Sequence, residues 1–108
     1  MNFLKTLFKS PSKKSFLGEW YSDITDEKTF SEMGDVKMIF SKDGKLTYKT
    51  KNGDTLQTIF MTYHIKHNTL ITNQPSHPQE ETTEFMFLND EMLILKFNGE
   101  ESRFISFR

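Results

Sequence analysis

The sequence predicts an all-β domain, an eight-stranded antiparallel up-and-down barrel. Apolar and polar residues alternate along short runs, and the eleven phenylalanines belong to a residue class that is enriched in strands. Short connections make consecutive strands antiparallel neighbours, and closing such a sheet into a barrel hides its edges. A β-sandwich is the alternative, but its Greek-key returns need longer connections than most of these. Three dipeptides supply the positive φ angles of tight hairpin turns: Asp43-Gly44, Asn52-Gly53 and Asn98-Gly99.

The strand pattern recurs eight times along the chain. The predicted strands are residues 15–23, 36–40, 46–50, 55–66, 69–73, 80–88, 92–97 and 102–107. A loop with two prolines, residues 74–78, separates the fifth and sixth strands, because proline cannot donate a hydrogen bond to a ladder.

The longest connection lies between the first and second strands, and within it residues 26–33 predict a short helix. Thr25 or Asp23 is expected to cap the helix, and Gly34 to end it at a positive φ. We expect Phe30 and Met33 to face the domain, because they are three residues apart. The helix is therefore the candidate for a lid over an open end of the barrel.

Composition limits the class of protein. The chain has 108 residues, which suits one domain, and it has no cysteine. Disulfides, a thiol nucleophile and a cysteine zinc site are thereby excluded, and a reducing, cytoplasmic location is expected. The net charge is −1, so the charge gives no reason to expect nucleic acid as a partner.

The first fourteen residues differ from the rest. They carry four lysines and no acid, so the remaining chain has a net charge of −5 when the whole has −1. Their apolar residues lie on one face of a predicted helix, which Ser10-Pro11 ends. We expect this amphipathic segment, residues 1–14, either to plug one end of the barrel domain, residues 15–108, or to be a frayed terminus. Weak contact with a membrane surface is the alternative, because the apolar run is too short to span a bilayer.

The first strand contains the only tryptophan, in the arrangement Gly18-Glu19-Trp20. A glycine in a strand marks a bend, which here lets the indole turn inward. This arrangement, the eight meandering strands and an arginine late in the chain resemble the lipocalin-like, or calycin, barrels, especially compact bacterial domains. The resemblance covers residues 15–108 and implies that Trp20 packs at the closed end. It also implies that Arg108 or Arg103 lies across the indole, a contact worth about 0.5–2 kcal/mol.

The alternation places many large side chains inside the barrel. An eight-stranded barrel is just wide enough to be filled by side chains or to hold one small ligand. Two alternatives therefore stay open: a packed core, or an apolar cavity with the hydroxyl groups of Tyr48 and Tyr63 as polar contacts. The candidate ligand-binding residues are Met38, Phe40, Tyr48, Ile59, Met61, Tyr63, Phe85 and Phe87.

No motif for catalysis, metal binding or a cofactor stands out. The three histidines lack cysteine or carboxylate partners at ligand spacing, so no metal site is expected. Glu80, Thr82 and Glu84 share one strand face, which we interpret as solvated surface rather than an acid–base pair. The chain has no Ser-His-Asp arrangement and no phosphate-binding glycine loop. We therefore expect neither an enzyme nor a cofactor.

Two hypotheses for the function follow. The first is a non-catalytic module that binds a small hydrophobic ligand inside the barrel, with entry near residues 24–35. The second is a protein-interaction module, such as a toxin-neutralising immunity protein, with a filled barrel and an acidic surface that suits a basic partner. The first hypothesis requires a cavity of at least a few hundred cubic ångströms.

Overall fold

The computed structural model of the protein describes residues 16–76 and 78–106, except for the side chain of Asn52. The predicted helix within residues 1–14 lies outside these residues, as do His77 and Arg108. One helix and eight strands make up the described chain. They are β1 (Gly18–Ser22), α1 (Glu27–Met33), β2 (Asp35–Phe40), β3 (Lys45–Asn52), β4 (Thr55–Lys66), β5 (Thr69–Asn73), β6 (Glu81–Asn89), β7 (Met92–Phe97) and β8 (Glu100–Ile105).

The eight strands form a closed antiparallel barrel in sequence order, as predicted. Each strand pairs with the next one along the chain, and β1 returns to β8 to close the sheet. β8 begins at Glu100, directly after the Asn98-Gly99 turn, two residues before the predicted start. In the register of β1, β2 and β3, Trp20 lies opposite Met38, and Met38 lies opposite Tyr48. These inward residues therefore form one layer of the interior.

One end of the barrel is filled by aromatic rings. Phe16, just before β1, lies with its ring centroid 5.0 Å from that of Phe40, 4.8 Å from that of Phe85 and 5.0 Å from that of Phe87. Most of these contacts are edge-to-face, the arrangement that the ring quadrupoles favour. The indole Nε1 of Trp20 donates a hydrogen bond of 2.8 Å to the Phe16 carbonyl. Phe16 and Trp20 are both fully buried, so they form the closed end together.

Gly18 makes this arrangement possible. Its φ is +109°, a value that residues with a Cβ rarely adopt, and no atom lies within 4 Å of where a Cβ would be. The requirement for glycine is therefore conformational rather than steric. The bend turns the chain back between Phe16 and Trp20, so that the carbonyl of one meets the indole of the other.

β1 and β8 close the barrel through only two residue pairs, Tyr21 with Ile105 and Ser22 with Phe104. Beyond them, the connection to α1 continues the seam. The Asp23 N–H donates to the Arg103 carbonyl at 2.8 Å, and the Arg103 N–H donates to the Thr29 hydroxyl at 2.8 Å. α1 thus replaces a strand at this edge, and its Thr29 hydroxyl accepts a hydrogen bond from a backbone N–H of β8.

A second hydroxyl ties the other end of α1 to β2. Ser22 Oγ donates to the Gly34 carbonyl and accepts from the Val36 N–H, both at 2.8 Å. Ser22 is buried, as is Thr29 on the helix. Two buried hydroxyl groups therefore fix the helix in the seam.

The details of α1 correct the sequence prediction. The capping residue is Asp26, not Thr25 or Asp23, and its Oδ2 accepts from the Thr29 N–H at 3.2 Å. Phe30 was expected to face the domain, but 55% of it is exposed. Thr29 faces the barrel instead, because the Arg103 N–H needs a hydrogen-bond acceptor there. Met33 does pack against the core, and Gly34 ends the helix at a φ of +69°.

Replacing the tryptophan by alanine tests its place in the core. Trp20→Ala is expected to lower the free energy of unfolding by about 3–5 kcal/mol, because it removes a fully buried ring and the bond to Phe16. Urea denaturation measures this change. Met86→Ala is the matched control, since 53% of Met86 is exposed on the outer face. Equal unfolding midpoints for the two variants would show that Trp20 does not organise the closed end.

Removing one hydroxyl tests the seam. Thr29→Val keeps the shape of the side chain but leaves the partly buried Arg103 N–H without its acceptor. The expected loss in the free energy of unfolding is about 1–3 kcal/mol. Thr29→Ser keeps the hydroxyl and is expected to lose much less. If valine and serine are equally tolerated in urea denaturation, the hydrogen bond does not contribute to closure.

Candidate functional site

The other end of the barrel is open and contains a cavity of about 340 Å³. Its lining includes the first residues of β6 and β8 and the last residues of β7, whereas Phe16 packs near the last residues of β2 and β6. Cavity and aromatic plug therefore lie at opposite ends. The lining residues come from β2 to β8, from the end of α1 and from the loop after β5. They are Met33, Met38, Leu46, Tyr48, Ile59, Met61, Leu70, Thr72, Gln74, Glu81, Thr83, Leu95, Phe97, Glu100 and Ser102.

Half of the predicted ligand-binding residues line this cavity: Met38, Tyr48, Ile59 and Met61. The other half pack at the closed end in the aromatic cluster: Phe40, Tyr63, Phe85 and Phe87. Both groups point inward, as the alternation predicted. They differ in depth along the barrel, so one group forms the wall of the cavity and the other packs beneath it as a floor.

Tyr63 was expected to offer its hydroxyl to a ligand. The structure directs this group elsewhere, since Tyr63 Oη donates a hydrogen bond of 2.8 Å to the Ser41 carbonyl. Its ring meets that of Phe40 edge-to-face, with 4.9 Å between centroids. Burial raises the pKa of Tyr63, and the charge of Asp43 adds to this effect. Tyr63 therefore belongs to the packed end, and Tyr48 is the tyrosine that lines the cavity.

Polar groups accompany the apolar wall. Tyr48 lines the cavity together with Thr72, Thr83 and Glu81. Burial raises the pKa of the Tyr48 hydroxyl, and the negative charge of Glu81 raises it further. Tyr48 is thus a neutral hydrogen-bond donor at physiological pH, close enough to a carboxylate to feel its charge. A ligand in this cavity meets a donor and an acceptor beside an apolar surface.

Sequence reasoning missed Glu81. The shared parity of Glu80, Thr82 and Glu84 predicts an outer surface for the acidic stretch at the start of β6. Glu81 has the opposite parity to these residues. It therefore lies on the same strand face as Thr83 and Phe85, both of which point inward. The signal was present in the period-two pattern, but a charged residue is rarely assigned to the inside of a barrel.

The helix borders the cavity without spanning it. In the described part of the chain, Met33 is the residue of α1 that lines the cavity, and the helix contacts β8 and β1. A salt bridge of 3.5 Å joins Lys28 Nζ to Glu100 Oε2 at this edge. Both side chains are about half exposed, so the pair contributes little to stability. α1 is a wall segment at the rim of the cavity.

The arginines expected near the indole can be placed in part. Arg103 points outward from β8, where its guanidinium lies 3.6 Å from Asp23 Oδ2 and 4.0 Å from Asp26 Oδ1. Its position links the seam to the helix cap. Arg108 lies outside the described residues, so its contact with Trp20 stays a prediction.

Within 16–76 and 78–106, no three His, Asp or Glu side chains come together in a group that suits a metal ion. His64 and His67 are both exposed. Among these residues there is also no helix with the length and hydrophobicity that crossing a bilayer requires.

The raised pKa of Tyr48 predicts an alkaline effect on stability. A folded-state pKa above the unfolded value means that the unfolded chain loses this proton first, so stability falls as the pH rises past about 10. Tyr48→Phe is expected to make this fall less steep, as measured by urea denaturation across the alkaline range. Glu81→Gln is expected to bring the Tyr48 pKa closer to its ordinary value, because it removes the nearby charge. Identical pH profiles for all three proteins would contradict the assignment.

Comparison of the chain with protein-family models, with curated proteins and with solved structures found no match in any of the three. The architecture therefore stands on the chain's own geometry, a closed eight-stranded antiparallel barrel with one plugged end and one open end.

Proposed function

We propose that the protein is a non-catalytic, lipocalin-like module that binds a small hydrophobic ligand in the open end of its barrel. The observation that carries this proposal is the cavity of about 340 Å³, bounded by apolar side chains and backed by the aromatic plug. The Gly18-Glu19-Trp20 arrangement and the up-and-down topology support the lipocalin-like part. A cytoplasmic location belongs to the same proposal and rests on the cysteine-free composition.

The size of the cavity limits the ligand. Pockets for small molecules measure about 300–1,000 Å³, so this one lies near the lower limit. It suits a compact ring system or a short chain rather than a long acyl chain. Met33, Met38 and Met61 line it, and their unbranched thioether side chains adapt to irregular shapes. Such a wall selects for apolar surface and for size more than for one detailed shape.

The polar groups suggest how the ligand is oriented. Tyr48 provides a hydroxyl donor and Glu81 an acceptor on the wall of a cavity whose lining is otherwise mostly apolar. A ligand with a hydrogen-bond donor, such as a hydroxyl or an amine, places that group towards Glu81 and its apolar body towards Ile59 and Met61. The carboxylate disfavours anionic ligands, because like charges repel at short distance.

The immunity-protein hypothesis remains the second candidate. It calls for a filled barrel, and the open end of this barrel contains a cavity, so the structure gives more support to ligand binding. The acidic surface that suits a basic protein partner stays a prediction.

Filling the cavity tests the proposal. Ile59→Trp places a large ring in the cavity, and Phe60→Trp is the matched control on the outer face of the same strand, where 71% of Phe60 is exposed. The neutral fluorescent probe phenylnaphthylamine is expected to bind the wild type and the control equally. Its affinity for Ile59→Trp is expected to fall by about tenfold or more, because lost contacts of about 1.4 kcal/mol suffice for that change.

Native mass spectrometry of gently purified protein complements the probe. The wild type and Phe60→Trp are expected to retain a small hydrophobic mass that Ile59→Trp lacks. Urea denaturation confirms that each variant is folded. If the probe binds Ile59→Trp as tightly as the wild type, or if it binds none of the folded proteins, the cavity is not the binding site.

A further inference from the structure

One edge of β4 has no neighbouring strand over half of its length. β4 pairs with β3 from Thr55 to Thr62, but with β5 only from Thr62 to Lys66. In the described ranges, residues 55–61 therefore have a strand partner on one side only. We call this segment the free edge. An unpaired strand edge presents N–H and C=O groups that can bind another strand.

The register determines which backbone groups point outward. Gly53 and Asp54 form a two-residue turn, so the flanking pair Asn52 and Thr55 is a hydrogen-bonded pair. Hydrogen-bonded and non-hydrogen-bonded residue pairs alternate along the two strands from this pair. The N–H of Tyr63, another odd-numbered residue, donates to the Gly44 carbonyl at 2.9 Å, which agrees with this alternation. Odd-numbered residues of β4 therefore bond to β3. The N–H and C=O groups of Leu56, Thr58 and Phe60 point to the free edge.

The outward side chains of the free edge are exposed and uncharged. Leu56 is 75% exposed and Phe60 71%, the highest fractions among the large apolar residues described. No Asp, Glu, Lys, Arg or Pro occurs from residue 55 to residue 65. Strands that stay unpaired are usually protected by charge, proline or a bulge, and this one has none of them.

The pattern of the free edge is complementary to itself. Leu56 and Phe60 lie two positions either side of Thr58, on the same outer face. A two-fold axis through Thr58 would place Leu56 opposite Phe60 of the partner subunit, and would repeat this contact on the other side. Three outward N–H groups from each copy would then form roughly six backbone hydrogen bonds. No like charges meet, since Asp54 falls opposite Thr62 of the partner subunit.

We propose that the free edge of β4 is a homodimer interface, in which two copies of this chain pair antiparallel about Thr58. The pairing joins two barrels through a continuous sheet and covers the most exposed apolar side chains of each. It does not depend on the ligand proposed above, because the outer face and edge of β4 carry it rather than the cavity.

Sedimentation equilibrium tests the association. The wild type is expected to show a concentration-dependent dimer. Phe60→Lys is expected to raise its dissociation constant by about tenfold, because two Leu–Phe contacts are lost. Met86→Lys is the matched control on the outer face of β6, outside the free edge, where Met86 pairs with Ile94 of β7, and it is expected to leave the dimer unchanged. A wild type that stays monomeric at millimolar concentration overturns the proposal and would leave the edge to an extended segment of another protein.

A second variant separates pairing from side-chain contact. Thr58→Pro removes the central N–H donor, which points away from β3, so the barrel is expected to remain folded. It is expected to be a monomer with an unchanged circular dichroism spectrum. A folded Thr58→Pro protein that still dimerises like the wild type overturns the proposed pairing.

Disulfide formation tests the register, and the natural chain has no cysteine to interfere. In the proposed dimer, position 58 of one copy faces position 58 of the other across the axis, with about 5.5 Å between their Cα atoms. This separation suits a disulfide in the Thr58→Cys variant. Leu56→Cys lies about 13 Å from its own copy and is expected to cross-link only when mixed with Phe60→Cys. Rapid oxidation of Thr58→Cys to a reducible dimer is the expected result. Oxidation no faster than that of Met86→Cys contradicts this register.

Discussion

Closure of the sheet is the constraint on which the rest of the structure depends. β1 has five residues and meets β8 at only two pairs, which leaves the edge of β8 unpaired towards the open end. A buried backbone N–H without a partner costs about 1–3 kcal/mol, so this edge needs another acceptor. The Thr29 hydroxyl supplies it, and the Ser22 hydroxyl fixes the far end of the helix. The main role of the helix is therefore to complete the closure of the sheet, and its place at the rim of the cavity follows from that position.

The interior is divided by the same arrangement. Phe16 enters from the side where β1 begins, and its ring fills the space between Phe40, Phe85 and Phe87. Among the described residues, no comparable group enters at the other end, where the helix lies in the wall and only its Met33 lines the cavity. A barrel of this width can be filled or hollow. Here the barrel is filled at one end and hollow at the other. The predicted packed core therefore describes the closed end, and the predicted cavity describes the open end.

The strand pattern and the turn dipeptides were enough to predict the barrel, because a period of two and tight turns are local properties. Depth along the barrel depends on strand register, which no short segment encodes, so Phe40 and Met38 looked alike in sequence. The prediction of the helix cap was wrong for a related reason. Asp23, Thr25 and Asp26 all suit that position, and the seam decides between them by bonding Asp23 to Arg103. The three-residue spacing of Phe30 and Met33 predicts that Phe30 faces inward, whereas a hydrogen bond to the Arg103 N–H places Thr29 there.

The seam also has a consequence for the order in which the chain folds. Seven of the eight strand pairings join neighbours in sequence, and such hairpins close short loops with little loss of chain entropy. The pairing of Tyr21 with Ile105 instead closes a loop that spans most of the chain. Closing the seam therefore carries the largest loss of chain entropy among the eight pairings, and we expect it to form last. Amides such as that of Arg103 would then become protected from hydrogen exchange last, and the seam would set the folding rate.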